Sequence, residues 1–363
     1  MKFAIVKDGC DRMRDTMMDE LVNAFYRHGH QLSTETNGIN FLLNLTDIES
    51  PRAGRRRSQS VFIISVVSAD EPVDDIRSMC YRTLIRTLSN LLICFAKNGH
   101  DDGRPEVYFT TPEAGFYHLP FDAEEVYRRM LPIAAAHYAI ENRLIPDLPE
   151  RLWMPSTVVQ SIARYGRELD TLGVLPTPFP LREMLSEDDL RHLYKIYGIT
   201  GLSYGNLSAR DSVPELGETT FWMTGRGIDK ANISRVGKDV LMVRGFEYER
   251  GEALVSVPNE FDPTSRVSVD AVEHELIYRT FPETGAIVHV HAWMENILCT
   301  QQNYPCGTRE LAQEVVDLLS QTTNPSIAVV GLKNHGLTIT GPTLDEIFDR
   351  IRGKLLTEVP MFA

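Results

Sequence analysis

The chain lacks the features of a membrane protein or a nucleic-acid-binding protein. No apolar run reaches the roughly 20 residues that a membrane span needs. Asp and Glu (50) outnumber Lys and Arg (37), and the resulting net charge of −13 disfavours binding to nucleic acid or to anionic lipid. The first eight residues are typical of a strand followed by charge, without a signal-peptide pattern. We therefore expect a cytoplasmic protein with no nucleic-acid or membrane partner.

Cysteines and nucleotide-binding loops are also scarce. The five cysteines are scattered and odd in number, which favours free thiols in a reducing compartment over a disulfide framework. Neither a Walker loop nor a G-x-G-x-x-G motif follows the first predicted strand. The hydrophobic content of 43% and charged content of 24% are those of ordinary globular proteins. These values suit a soluble enzyme that does not carry a nucleotide-binding signature.

The length of 363 residues predicts two domains, each long enough to bury its own core. In the first half, strand patterns alternate with helix patterns, which indicates an α/β domain with a largely parallel sheet. The predicted strands are 2–7, 40–45, 61–67 and 106–110, and the predicted helices are 12–27, 76–97 and 123–140. A proline-rich stretch at 144–183, with a short helix inside it, suits a connection. We predict an α/β domain of open role at 1–143 and a second domain at 184–363.

The strongest functional signal is a His-x-His pair within an apolar strand. His289 and His291 should lie on the same side of that strand, because side chains alternate with period two. A third histidine from a distant segment, His335, can complete a site with three nitrogen ligands. Three protein ligands and one open position are typical of a catalytic zinc. The alternative is that these are structural or surface histidines, since metal binding is only one of the roles of histidine.

Several further motifs surround the histidines in a fixed order. They are Gly205-Asn206-Leu-Ser208, Thr224-Gly225, Ser268-Val-Asp270, Gly307-Thr308-Arg309-Glu310-Leu311 and Asn334-His335-Gly336-Leu337. In this order and near-family spacing, they resemble the class II aldolase/adducin family over roughly residues 184–352. That family contains zinc-dependent sugar-phosphate aldolases, ribulose-phosphate 4-epimerases, related dehydratases and decarboxylases, and the non-catalytic adducins. The resemblance implies an α/β/α domain behind the first α/β domain.

The resemblance also implies a site and a reaction. It implies that His289, His291 and His335 bind Zn²⁺ or another divalent metal, which would act as a Lewis acid and stabilise an enediolate during cleavage or formation of a C–C bond. The substrate would be a small hydroxylated carbonyl compound, sugar-like or sugar-phosphate-like. The residues implied to bind it are Gly205, Asn206, Thr224, Gly225 and Ser268. Members of the family commonly form homo-oligomers, so we expect a homo-oligomer here.

Asp270 is the predicted acid/base residue, because a carboxylate near the metal can exchange a proton with the substrate. The alternative for Asp270 is a plain aspartate in the first turn of a helix, where the helix dipole favours it. We interpret Glu273 as a possible partner of the site and Glu275 as a solvated charge. Cys306, close to the motif, is interpreted as a small buried hydrophobic residue.

Three departures from the family pattern leave the reaction open. Tyr204 and Val269 replace small or hydroxylated residues of the phosphate-binding loops, so the substrate need not be phosphorylated. Arg226 and Lys230 can supply positive charge there, or can face water. No tyrosine follows His335, although family aldolases often use a C-terminal tyrosine as a proton donor. The alternatives to an aldolase are a 4-epimerase, a decarboxylase or dehydratase, and an adducin-like binding protein.

Overall fold

The structure is a computed structural model that describes residues 1–54, 62–97, 105–175 and 203–362, with isolated positions between 182 and 193. Contacts divide the chain into two compact units. The first unit comprises 1–136, 179–197 and 361–363, and the second comprises 137–178 and 198–360. Residues 176–181 of the predicted connection lie outside the described residues. No helix in the described ranges is both long and apolar enough to cross a membrane.

The first unit is built on a seven-stranded sheet in the order β2-β1-β3-β4-β5-β6-β7. Strands β1 to β5 are parallel, and β6 and β7 add antiparallel hairpin strands. The strands are β1 (Lys2–Lys7), β2 (Gln31–Leu32), β3 (Phe41–Leu45), β4 (Phe62–Ala69), β5 (Leu91–Ala96), β6 (Glu106–Thr110) and β7 (Phe116–Pro120). The helices are α1 (Arg12–Arg27), α2 (Ile76–Thr87) and α3 (Ala123–Ala135). The predicted α/β class and the mainly parallel sheet are confirmed.

The single helix predicted over 76–97 is wrong. The helix ends at Thr87, where Leu88 adopts a left-handed conformation with φ of 56°. The run Leu91–Ala96 that follows is fully buried as β5, a strand inside the sheet. Buried strands are apolar on both faces, so a short apolar run of this kind does not distinguish strand from helix by periodicity. The third predicted helix is also shorter than expected, and ends at Ala135.

The second unit contains a nine-stranded sheet in the order β14-β15-β16-β13-β9-β10-β11-β12-β8. Its strands are β8 (Glu141–Ile145), β9 (Asn206–Arg210), β10 (Phe221–Thr224), β11 (Val240–Glu247), β12 (Glu252–Ser256), β13 (Ala286–Val290), β14 (Leu298–Cys299), β15 (Val329–Leu332) and β16 (Gly336–Gly341). Its helices are α4 (Thr157–Thr171), α5 (Ala271–Thr280), α6 (Arg309–Leu319) and α7 (Leu344–Ile351). The short helix predicted inside the proline-rich stretch is α4, whereas β8 was not predicted.

Helices cover both faces of this second sheet, so the predicted α/β/α class is confirmed. One apolar cluster joins one face of the sheet to α4 and α7, and Tyr165 stacks on Phe348 there at 4.2 Å between ring centroids. A separate cluster joins the opposite face to α5 and α6. Contacts therefore group 137–178 with the second sheet, whereas the sequence-based boundaries treat 144–183 as a connection.

Candidate metal centre

The three histidines predicted from the sequence converge at the end of two paired strands. His289 lies in β13, His291 follows that strand directly, and His335 lies in the turn that leads into β16. Strands β13 and β16 are antiparallel neighbours, which brings the two segments together. One nitrogen from each ring lies within 4.8 Å of the others, and the Nε2 atoms of His291 and His335 are 3.1 Å apart.

The turn that carries His335 is pressed closely against β13. Asn334 adopts a left-handed conformation with φ of 58°. A Cβ atom added at Gly336 would lie 2.2 Å from the carbonyl oxygen of Val290, so only glycine fits there without a shift of backbone. The local sequence Asn-His-Gly therefore fixes how far the His335 ring stands from His291.

The donor set of these residues fits a divalent metal ion. His289 Nδ1 donates a hydrogen bond to the Leu337 carbonyl at 3.0 Å, which leaves the Nε2 lone pair for a ligand. His289 is buried, and Nε2 has no hydrogen-bond partner among the described residues. A buried nitrogen without a partner is rare in native proteins and calls for a partner such as an ion. Three imidazole nitrogens suit zinc and also accept other divalent metals.

Desolvation favours the neutral form of the three imidazoles by lowering their pKa values. Desolvation lowers the pKa of His289, and it lowers the pKa values of His291 and His335 well below their usual range, with the neighbouring histidines adding to the effect. A neutral imidazole offers the lone pair that a metal requires, whereas an imidazolium does not. The electrostatics of the cluster therefore favour metal binding at neutral pH.

A row of polar side chains runs across three neighbouring strands at the level of His289. Asn206 of β9 and Thr338 of β16 are both directly opposite His289, so the three side chains lie on the same face of the sheet. The start of α5 packs on this row. Asp270 accepts a hydrogen bond from Asn206 Nδ2 at 2.7 Å, and Glu273 accepts one from Thr338 Oγ1 at 2.7 Å. Two buried carboxyl groups thus lie on either side of His289.

Asp270 occupies the N-cap position of α5 but makes no side-chain hydrogen bond to the helix. Its Oδ2 atom is held by Asn206, while Oδ1 and Asn206 Oδ1 have no partner within the described residues. The carboxylate is only 4% exposed. The Asp270 side chain therefore does not cap α5 by a hydrogen bond, although its place at the start of the helix is one that the helix dipole favours.

Glu273 and Glu275, on the same helix, are both buried. Burial raises the pKa of Glu273 to about 8, and the nearby charge of Asp270 acts in the same direction. The interpretation of Glu275 as a solvated charge is wrong. Glu275 is 5% exposed and accepts a hydrogen bond from Tyr248 Oη, and burial raises its pKa. The sequence did not reveal this, because Tyr248 comes from a distant part of the chain.

The residues predicted to bind the substrate occupy different environments. Asn206 also donates to Ser268 Oγ at 3.1 Å, so both lie beside Asp270. Gly205 has φ of 73°, and a Cβ atom there would lie 2.4 Å from the His289 carbonyl oxygen. Thr224 Oγ1 accepts a hydrogen bond from the Leu207 amide at 3.2 Å, so this side chain also stabilises the backbone of the neighbouring strand β9.

Gly225 was also predicted to bind the substrate, but its backbone amide is already hydrogen-bonded within the protein. The Gly225 amide donates to the Asp239 carbonyl at 2.8 Å, so it is not free to bind an anion. The amide is used by a local turn, which the motif alone could not indicate.

Lys230 is a further residue of this region. The alternative that it faces water is wrong, because it is 2% exposed. Its ammonium group donates to the carbonyl and the hydroxyl of Ser203, at 3.2 and 3.1 Å. Burial lowers the pKa of Lys230 to about 8, against the opposing charges of Asp229 and Asp270. A buried lysine held by neutral oxygens is costly, which makes it a candidate functional residue.

Two more side chains contact the histidines. Tyr204 stacks on the His291 ring, with 4.4 Å between centroids and 13° between planes. Cys306 is half-buried, and its Sγ atom lies 3.2 Å from His335 Nε2. The interpretation of Cys306 as a mere buried hydrophobic residue is therefore wrong. Tyr278 of α5 is a tyrosine of the same unit, but it is buried with its hydroxyl hydrogen-bonded to Ser208.

Comparison with known proteins agrees with this site. Residues 190–303 match the family described as Class II Aldolase and Adducin N-terminal domain, a segment that includes His289 and His291 and ends before His335. Two methylthioribulose-1-phosphate dehydratases from Leptospira interrogans strains are 34% and 32% identical to this chain over 112 residues. The alignments cover 30% of this chain, and the chain spans 40% of the length of these relatives.

Solved structures give weaker similarities. L-fuculose 1-phosphate aldolase aligns with 54% of this chain and 81% of its own, at 19% identity and a TM-score of 0.35. A putative aldolase/epimerase/decarboxylase from Escherichia coli aligns with 53% of this chain and 82% of its own, at 16% identity and a TM-score of 0.34. The similarity to the class II aldolase and adducin family is therefore carried by the matched residues 190–303.

Proposed function

We propose that this chain is a metal-dependent lyase of the class II aldolase type, acting on a small hydroxylated carbonyl compound that is sugar-like or sugar-phosphate-like. The observation that carries this proposal is the convergence of three imidazoles, those of His289 and His335 buried and that of His291 half-buried, beside a buried carboxylate that does not cap its helix. Adducin-like binding without catalysis does not explain why His289 Nε2 and Asp270 Oδ1 have no hydrogen-bond partner among the described residues.

In this proposal His289, His291 and His335 hold zinc or another divalent metal. Such a metal, when bound, polarises a carbonyl or hydroxyl oxygen and stabilises negative charge that develops on the substrate. Asp270 exchanges a proton with the substrate, since Oδ1 has no partner among the described residues. Asn206 orients Asp270 through its hydrogen bond to Oδ2. Ser268, beside Asn206, adds a hydroxyl to the same region.

Dehydration is a second candidate reaction, favoured by the names of the two curated relatives. Removal of water next to a carbonyl needs the same base and the same stabilisation of negative charge as cleavage of a C–C bond. Epimerisation by cleavage and re-addition also stays within this chemistry. The three reactions differ in their products, so product analysis separates them.

The test is a screen of phosphorylated and free ketoses with the zinc-, manganese- or cobalt-loaded protein, read by mass spectrometry. Two fragments indicate an aldolase, loss of water indicates a dehydratase, and an unchanged mass with altered stereochemistry indicates an epimerase. Asp270→Asn keeps the shape and removes the charge, so turnover should fall by roughly 10²-fold or more while metal content is kept. No turnover of any ketose by the metal-loaded protein, or equal turnover by the variant, would contradict the proposal.

A further inference from the structure

Cys306 places a sulfur atom next to His335, one of the three histidines. Its Sγ atom lies 3.2 Å from His335 Nε2, the same nitrogen that is 3.1 Å from His291 Nε2. In a tetrahedral zinc site with bonds of about 2.0–2.1 Å to nitrogen and about 2.3 Å to sulfur, neighbouring donor atoms are roughly 3.3–3.6 Å apart. The sulfur–nitrogen distance of 3.2 Å and the nitrogen–nitrogen distance of 3.1 Å are slightly shorter than these separations. The distance from Cys306 Sγ to His335 Nε2 is therefore close to that between two ligands of one zinc ion.

The Cys306 thiol and a metal ion compete for the lone pair on His335 Nε2. With Nε2 of His335 available, the Cys306 thiol can donate its hydrogen to that nitrogen. A metal at the three histidines takes the Nε2 lone pair, so this hydrogen bond is lost. The sulfur then stands beside a cation, and a nearby cation favours the thiolate form of cysteine. Thiolate is itself a strong ligand for zinc.

The backbone directly after Cys306 packs closely against neighbouring segments. Gly307, the next residue, has φ of 71°, and a Cβ atom there would lie 2.4 Å from Ile140 Cγ2 and 3.0 Å from the Val269 carbonyl oxygen. The Gly307 carbonyl accepts from the Ala139 amide at 2.8 Å. Thr308 then caps α6. Cys306 is thus held between the start of α6 and Val269, which directly precedes Asp270.

We propose that Cys306 is a fourth protein ligand of the metal when no substrate is bound. The inference rests on the proposed metal site, and the unpartnered, buried His289 Nε2 is the independent sign that a ligand belongs there. On binding, the S–H bond breaks, the proton leaves to solvent, and the sulfur lone pair forms the bond to the metal. No electron is transferred. Zinc sites can expand to five ligands, so a substrate oxygen can still join the metal.

Cobalt(II) provides a direct test with a readout other than activity. The purified full-length protein is stripped with a chelator and titrated with Co²⁺ without substrate. Visible absorption reports that cobalt occupies the histidine site, and a near-ultraviolet charge-transfer band reports a thiolate bound to it. We expect both in the wild-type protein. Cys306→Ser should lose the charge-transfer band and keep the visible absorption.

Cys299→Ser is the matched control, because Cys299 is also half-buried and lies seven positions earlier in the edge strand β14. This variant should keep both signals. Visible absorption without a thiolate band in the wild-type protein would overturn the role of Cys306 and leave the histidine site standing. Failure to bind cobalt at all would overturn both.

A second measurement requires no substitution. X-ray absorption of the zinc-loaded wild-type protein should show one sulfur at about 2.3 Å from the metal. A shell of nitrogen and oxygen alone would contradict the proposal even if Cys306→Ser failed to fold.

Discussion

At the scale of single residues, the start of α5 combines two carboxyl groups in one buried region. Asp270 and Glu273 are 4% and 2% exposed, and each is held by a neutral side chain of the sheet, Asn206 or Thr338. Two like charges in such a place repel, and burial penalises both. Burial and the nearby charge of Asp270 raise the pKa of Glu273 to about 8, so Glu273 keeps its proton near neutral pH.

Glu273→Gln should make the second unit more stable, and more so at higher pH. The pKa of Glu273 is raised from 4.5 to about 8 by burial and by Asp270, so between these pH values the folded state keeps a proton that the unfolded state has released. Wild-type stability therefore falls as pH rises through that window, by at most about 1.4 kcal/mol per pH unit. The variant lacks this loss, so its advantage should widen from pH 5 to pH 8.

Tryptophan fluorescence during urea unfolding of the chelator-treated protein measures this difference. All three tryptophans, Trp153, Trp222 and Trp293, belong to the second unit. Glu283→Gln, at an exposed position of the same unit, controls for the removal of one negative charge. A gap between Glu273→Gln and wild type that stays constant from pH 5 to pH 8 would show that Glu273 does not bind a proton in the folded state.

The sequence was informative where the spacing of residues along the chain indicates a shared site. The alternation in His289-Val-His291 and the order of the motifs were enough to group the three histidines that the structure brings together. Spacing gives no information about burial by distant segments. Glu275 is covered by Tyr248, and Lys230 is held by Ser203, so neither environment was visible along the chain.

At the scale of elements, the site depends on how closely β9, β13 and β16 approach one another. Gly205 lies directly before β9, and a substitution there tests the close approach of β9 to β13. Its φ of 73° and the 2.4 Å from an added Cβ to the His289 carbonyl oxygen both disfavour a side chain. Gly173 has nearly the same φ, 72°, with no atom within 4 Å of an added Cβ. Comparing substitutions at Gly205 and Gly173 therefore separates the cost of the left-handed backbone conformation from the cost of crowding against β13.

Gly205→Ala should therefore cost more stability than Gly173→Ala. Both share the penalty of a left-handed alanine, roughly 1–2 kcal/mol, and only Gly205→Ala displaces the strand that carries His289. The extra cost should be about 1–3 kcal/mol, as in overpacked interiors. Urea unfolding followed by tryptophan fluorescence gives the stability, and zinc titration gives the affinity. Equal losses in both variants would mean that the approach of β9 to β13 does not position His289.

Element prediction from the sequence succeeded where amphipathic patterns are clear, as in α1 and α4. It failed at β5, because a buried strand has no alternation to detect. It also failed at β8, which spans the predicted boundary between the first domain and the proline-rich stretch and pairs with β12. That pairing joins segments more than 100 residues apart, which no local pattern predicts.

At the scale of the whole molecule, residues before the matched family segment contribute to the second unit. Strand β8 extends its sheet, and α4 buries Val159, Ile162, Tyr165 and Leu169 in the cluster that covers one face of that sheet. We propose that this unit begins near His137 rather than at residue 184. The cytoplasmic location and the homo-oligomer remain predictions, and light scattering will decide the second.

Truncation tests this boundary. A chain of residues 137–363 should unfold cooperatively and bind metal, whereas residues 184–363 should not fold stably, because they lack β8 and α4 and expose the apolar surface that α4 covers. Circular dichroism during thermal unfolding and zinc binding measure both properties. A shorter chain that unfolds as cooperatively as the longer one would restore the boundary at 184.

Metal stoichiometry is the most direct test of the central claim that His289, His291 and His335 form a metal site. Equilibrium dialysis against zinc, followed by elemental analysis, should give about one divalent ion per chain for the wild-type protein. His291→Ala should lose most of it, while His118→Ala, which removes an exposed histidine of β7, should keep it. Full occupancy in the His291→Ala protein would contradict the assignment of these histidines as the metal site.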